Sequence, residues 1–214
     1  MDLYIDRISC PVTNLGPGRR IGLWVRGCGR GCPGCISGDL ATRGEGSRRT
    51  VEEVAGAIVS IAPGFDGLTI SGGEPFDQPE ALCELCEIIV ERTGLDILVY
   101  SGYTLEELRE GPPAVATFLG LVDVLIDGPY IRELPGTKIW RGSDNQRLHC
   151  LSGRAQKYRR FDEAVYEGAR ELQYELTDDG GLRIVGIPER GFEERFERVA
   201  RSRGVTVSKR SRSR

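Results

Sequence analysis

Long hydrophobic runs are absent from this 214-residue chain: no apolar stretch approaches the ~20 residues that cross a bilayer. Its first residues, MDLYIDRISC, lack the basic start and apolar centre of a secretion signal, so a cytoplasmic protein without a membrane partner is expected. Histidine is nearly missing too. His149 stands alone, which excludes a histidine-based triad and a multi-histidine metal site. Neither sign of charge dominates: 29 Lys and Arg against 32 Asp and Glu give a net charge of -3, a balance that demands no nucleic acid. Internal repeats are absent. Cysteine, present seven times at 10, 28, 32, 35, 83, 86 and 150, is too scarce and too clustered for a secreted disulfide framework, and an odd count leaves one unpaired. With 39% hydrophobic residues, the chain can bury one sizeable core and a small second unit.

What is present alternates between strand and helix signals. RIGLWVRG (20–27) reads as a short strand. Thr50 is placed to cap a helix over VEEVAGAIVSIA, where Val51, Val54, Ala55 and Ile58 share a face. GLTI (67–70) is a second strand followed by the turn SGGEP. QPEALCELCEIIVERTG (78–94) has the early proline and late glycine of a helix. LDILVY (95–100) is a strand, TLEELREG a short helix opened by Thr104, and LVDVLIDGPY (121–130) a further strand. This alternation predicts an α/β architecture with parallel strands and with chemistry on the loops after the strands' C-terminal ends. After residue 150 the pattern changes. AQKYRRFDEAVYEGARELQYEL is expected to be partly helical, LQYELT-DDGG-LRIVGI to form a hairpin, and GFEERFERVARSRG a charged helix. The expected division is 1–150 as the core, 151–200 as a small extension, and 201–214 as a basic tail. That tail, RSRGVTVSKRSRSR, contains no acid and reads as solvated and partly disordered, with binding of an anionic partner as the alternative.

VRGCGRGCPGC (25–35) spaces Cys28, Cys32 and Cys35 as C-x3-C-x2-C. A structural zinc site needs four closed positions, usually from two separated pairs, and His149 and Cys150 lie more than a hundred residues away. A [4Fe-4S] cluster suits three thiolates better, because its fourth iron stays free for a non-protein ligand. Glycines 27, 29, 31 and 34 let the backbone wrap closely around such a core. Asp127, ending an apolar strand, is expected to face a polar cavity, since an unpaired buried carboxylate is costly. Cys83 and Cys86 share a helix face among Leu82, Leu85 and Ile89, as core residues or as an auxiliary redox or metal pair. Cys10 and Cys150 show no assignable role, and Trp24 and Trp140 read as packing residues.

The triplet resembles the signature of the radical S-adenosylmethionine (SAM) superfamily, whose fold is a partial (βα) barrel and whose free iron is chelated by SAM. SGGEP (71–75) is similar to that superfamily's glycine-glycine-glutamate-proline motif. The resemblance implies that Gly72, Gly73, Glu74 and Pro75 bind the methionyl amino group, with Ser101 in the SAM pocket and Asp127 on the ribose. TNLGPGRR (13–20), VDVLIDGPYI (122–131) and IWRGSDNQRLH (139–149) narrow the likeness to glycyl-radical-enzyme activases of anaerobic (class III) ribonucleotide reductase. The W-R-G-S-x-N-Q-R stretch is the most family-specific part, although Arg141, Asn145, Gln146 and Arg147 would otherwise pass for a polar loop. The likeness covers residues 3–150 and implies that a reduced cluster cleaves SAM and that the resulting 5'-deoxyadenosyl radical takes hydrogen from a partner's glycine. Flavodoxin or ferredoxin would supply electrons. Compact members of that family end soon after the W-R-G-S stretch, whereas this chain continues through residues 151–214. Two rival readings are a radical SAM enzyme acting on a small molecule or peptide, and an iron–sulfur redox sensor on a binding module with a nucleic-acid-binding tail.

Overall fold

The structure, a computed structural model, describes residues 1–177 and 180–207. Asp178 and Asp179 of the expected hairpin turn, and residues 208–214 of the basic tail, lie outside the described residues.

Four adjacent parallel strands form the centre of a seven-stranded sheet: β2 (Arg20–Val25), β4 (Gly67–Gly72), β5 (Asp96–Tyr100) and β6 (Val124–Asp127). On one side β1 (Asp2–Val12) runs antiparallel to β2, with β3 (Arg48–Thr50) outside it; on the other β7 (Arg147–Cys150) runs antiparallel to β6. The order β3-β1-β2-β4-β5-β6-β7 makes an α/β sheet that, among the described residues, does not close on itself. It is a partial barrel, as expected.

Register explains the core. Leu23 pairs with Ile70, Ile70 with Val99 and Val99 with Leu125, so one row of β-branched and leucine side chains crosses the sheet on one face. Because side chains alternate along a strand, this row faces the helices α1 (Val51–Ile61), α2 (Pro79–Arg92), α3 (Leu105–Arg109) and α4 (Pro113–Leu119). Thr50 caps α1 as the sequence predicts: its hydroxyl accepts from the Glu53 N–H, and the Glu53 carboxylate accepts from the Thr50 N–H. Thr104 and Glu107 repeat the arrangement at α3. Cys86 is fully buried in this core and Cys83 packs at its edge, and burial pushes both thiols up.

The opposite face carries Trp24, Leu98, Tyr100, Val124 and Ile126. It is covered by the segment after β7. Ala155 and Tyr158, on a short 3-10 helix and its cap, pack on Leu98, Val124 and Ile126, and the Tyr158 hydroxyl donates to Asp96 at 2.6 Å. Asp96 also pairs with fully buried Arg20 at 2.6 Å, at the end of the strands away from their C-termini. The hairpin β8 (Gln173–Leu176) and β9 (Leu182–Val185) forms as predicted, followed by α5 (Phe192–Ser202). Phe196 of α5 stacks between Tyr174 and Phe192. The stretch expected to be partly helical holds a six-residue 3-10 turn, Gln156–Phe161, and is otherwise irregular up to the hairpin. The expected strand over 121–130 is likewise trimmed to Val124–Asp127.

Candidate metal centre and cofactor site

All four candidate stretches sit where parallel strands end. Cys28, Cys32 and Cys35 follow β2; Gly72 closes β4 and Gly73, Glu74 and Pro75 follow it; Ser101 follows β5; Asp127 ends β6. The C-terminal edge of four neighbouring strands therefore gathers every residue the sequence singles out for the cluster and its co-substrate.

The first two loops are joined through backbone. Gly73 N–H donates to Val25 O and Glu74 N–H to Gly27 O, each at 2.8 Å. This approach explains the double glycine: a Cβ at Gly73 would lie 2.2 Å from the Gly27 carbonyl oxygen, and one at Gly72 would lie 2.4 Å from that of Val25. Onward, Gly27 N–H donates to Leu40 O at 2.8 Å and Cys28 N–H to Ala41 O at 3.0 Å, so the cysteine loop is closed at its neck. Cys35 N–H then donates to Cys32 O at 3.2 Å. Cys35 is exposed and Cys28 and Cys32 are half-buried. Partial desolvation by the loop pushes the Cys35 thiol up, and nearby Cys32 and Cys28 add to it. Among the described residues no three Cys, His, Asp or Glu side chains converge on a single ion.

Glu74 differs from a free carboxylate at a pocket mouth. It is 1% exposed and accepts from Phe76 N–H at 3.0 Å, Ser101 hydroxyl at 2.9 Å and Gly102 N–H at 2.7 Å. Burial pushes it up to about 7, against the pull of these three donors. Its side chain thus fastens the second site loop to the third, bringing Glu74 and Ser101 together as one unit.

Asp127 is also buried, but it does not face an open polar cavity as expected. Its carboxylate lies on the sheet face toward α3, accepting from Leu105 N–H at 2.6 Å and from Arg147 at 2.6 and 3.1 Å. His149 Nε2 lies 3.2 Å away, close enough for an ion pair when protonated yet off the line of a good hydrogen bond. Burial pushes the carboxyl up, but contacts with His149, Arg147 and the Leu105 N–H outweigh it and hold the group well below the usual range. The neighbouring β7 supplies Arg147 and His149, and the sequence reading had no strand there.

The W-R-G-S-x-N-Q-R stretch proves to be a strap across the fourth loop. Asn145 donates to Pro129 O at 2.8 Å and Gln146 to Gly128 O at 3.0 Å. The Gln146 side-chain oxygen accepts from Gly142 N–H at 2.8 Å, and the Ser143 hydroxyl accepts from Ile131 N–H at 3.1 Å. Residue by residue these are ordinary polar side chains, so the sequence signal lay only in their family-specific order.

Asp77 was not singled out in the sequence at all. One carboxylate oxygen accepts from Gly29 N–H at 2.9 Å, inside the cysteine loop, and the other from the Tyr103 hydroxyl at 3.0 Å, in the loop after β5. Arg30 stacks over the Tyr103 ring, 4.7 Å from its centre, and pairs with Glu107. Gln78 binds both Tyr4 and the Arg26 carbonyl. In sequence, Asp77 and Gln78 pass for the start of α2, and only a long-range contact could reveal them.

Strand-end loops of this kind, carrying three thiols beside a glycine-rich turn joined to them through backbone, are those of an α/β protein built to hold an iron–sulfur group, and the comparisons agree. A family model described as a 4Fe-4S single cluster domain matches residues 14–149. The anaerobic ribonucleoside-triphosphate reductase-activating protein of Enterobacteria phage T4 is 36% identical over 148 residues, 67% of this chain and 91% of that protein. Its namesake from Escherichia coli strain K12 is 33% identical over 143 residues, 64% and 91% of the two chains. The pyruvate formate-lyase-activating enzyme of Clostridium pasteurianum is 33% identical over 115 residues, half of this chain and 48% of that one. Among solved structures, QueE from Escherichia coli overlaps 49% of this chain and 54% of its own, with a TM-score of 0.43 and 18% identity, too loose a superposition to weigh. The chain belongs to the 4Fe-4S single cluster family, among the radical SAM activating proteins. The matched residues leave the segment after Cys150 outside the family model.

Proposed function

We propose that this protein is a radical SAM activase that installs a glycyl radical on a partner enzyme, and that the partner is an anaerobic ribonucleoside-triphosphate reductase. The observation that carries this reading is the convergence of the cysteine loop, the S-G-G-E-P turn and the loops after β5 and β6 on one edge of the sheet, in a chain 36% identical to a protein named for that activation. When bound, the [4Fe-4S] cluster and SAM would supply one-electron radical chemistry directed at the partner's glycine.

The chain's own residues hold and shield. Cys28, Cys32 and Cys35 are the iron ligands. Gly72 and Gly73 present backbone at the SAM amino group, with Pro75 fixing the exit of the turn. Ser101 lies on the SAM side of the third loop. Glu74 and Asp127 act by fixing loops, because their carboxylates are already engaged by internal donors. Electrons come from an outside donor, flavodoxin or ferredoxin, in the cytoplasm. No helix of the described residues is long and apolar enough to cross a membrane.

The test is anaerobic reconstitution with iron and sulfide, reduction with dithionite, addition of SAM, and assay for 5'-deoxyadenosine. The expected result is its formation by wild type and by Cys83→Ala, and its loss when any of Cys28, Cys32 or Cys35 becomes alanine. Equal loss in Cys83→Ala, or no cleavage by a fully loaded protein supplied with its reductase, would sink the reading.

A further inference from the structure

The segment after Cys150 reaches both outer site loops. Toward the fourth, residues 162–166 run antiparallel to 137–141: Ile139 N–H donates to Ala164 O at 2.9 Å, Tyr166 N–H to Thr137 O at 3.0 Å, and Lys138 bridges Val165. Trp140 N–H donates to the Tyr166 hydroxyl at 3.0 Å. Arg141, fully buried, donates to the Asp162 carbonyl at 2.7 Å and to its carboxylate at 3.0 Å. The core's family-specific strap thus takes its ionic partner from outside the family match. Toward the first loop, Val185 of β9 is buried in one apolar cluster with Val12, Leu15, Trp24 and Leu40, and Asn14 holds the hairpin by donating to Val185 O at 2.8 Å and Glu171 O at 3.1 Å. Leu40 is the residue whose carbonyl takes the Gly27 N–H at the neck of the cysteine loop.

We infer that the C-terminal segment is an intramolecular clamp that fixes the cysteine loop relative to the strap, with Val185 and Asp162 as positioning residues. The hairpin shares its apolar cluster with Leu40, the residue at the neck from which the cysteines project. Asp162 holds Arg141 and, through the strap, the loop after β6. A side chain as large as arginine, buried with one carboxylate as its counter-charge, allows few alternative positions for that loop. The clamp's catalytic meaning rests on the activase reading above; its mechanics do not.

Two kinds of measurement separate these. In metal-free full-length protein, hydrogen exchange at Gly27 and Cys28 is compared among wild type, Val185→Ala, the milder Leu40→Val, and Leu176→Ala, whose side chain is 86% exposed on the same hairpin. The expected result is exchange about tenfold faster in Val185→Ala, a smaller rise in Leu40→Val and no change in Leu176→Ala. In reconstituted protein, the change that SAM produces in the electron paramagnetic resonance spectrum of the reduced cluster is expected to be altered in Asp162→Ala and restored toward wild type in Asp162→Asn. Folded variants with wild-type exchange at the neck and a wild-type SAM-induced spectrum would overturn the clamp. A wild type that binds no cluster would instead overturn the activase reading, leaving exchange to decide the clamp alone.

Discussion

At the scale of single residues, Glu74 shows how a motif can be read correctly as to place and incompletely as to work. Its position in S-G-G-E-P marks the site, yet the carboxylate points inward to Ser101 and Gly102, a contact no spacing rule reveals. A titration follows from its burial. The folded group, raised to about 7, keeps a proton that the unfolded chain releases near the ordinary glutamate value of 4.5. Stability therefore declines as pH rises from about 4.5 to about 7 and levels off above, by about 3 kcal/mol from this group. Urea unfolding of the metal-free protein across that range is expected to show the slope, and Glu74→Gln to flatten it. Arg20 makes the contrasting case. Its guanidinium is fully buried and donates to Thr69, Leu68 O and Asp96, so Arg20→Ala, which strands a buried aspartate, is expected to cost about 3–5 kcal/mol in the same assay.

Among elements, those whose signal is local were legible. The capping boxes at Thr50 and Thr104, the Pro-to-Gly span of α2 and the apolar strands β2, β4, β5 and β6 follow from neighbours in sequence. The missed elements depend on partners far away. β1 is only half-buried along its length and shows no clean alternation, while β7 is four residues that exist as a strand by pairing with β6. α4 begins in Pro112-Pro113, a pair that reads as a loop. The joint between β2 and β4 makes a sharp prediction. In Gly73→Ala the new methyl meets the Gly27 carbonyl, so the cysteine loop must move. Iron content after reconstitution is expected to fall several-fold, together with a stability loss of about 1–3 kcal/mol by thermal unfolding. A protein that keeps full iron would show the two loops to be independent.

For the whole molecule, the sheet has two buried faces, and residues beyond 150 supply much of the cover of the second, with Val12, Leu15 and Leu40 beside them. Tyr158 reaches Asp96 beneath the sheet, and Val185 reaches Trp24. The chain is therefore expected to unfold in one step, with tryptophan fluorescence, reporting on Trp24 and Trp140, and far-ultraviolet circular dichroism giving coincident transitions. A chain ended at Cys150 would expose Leu98, Val124 and Ile126 and is expected to aggregate, as light scattering would report. The exposure of Cys35 carries a different consequence. On the activase reading, a group held by this thiol would meet solvent at one edge, within tunnelling distance of a protein docked there, and alkylation of Cys35 in the metal-free protein is expected to run ahead of that of buried Cys86.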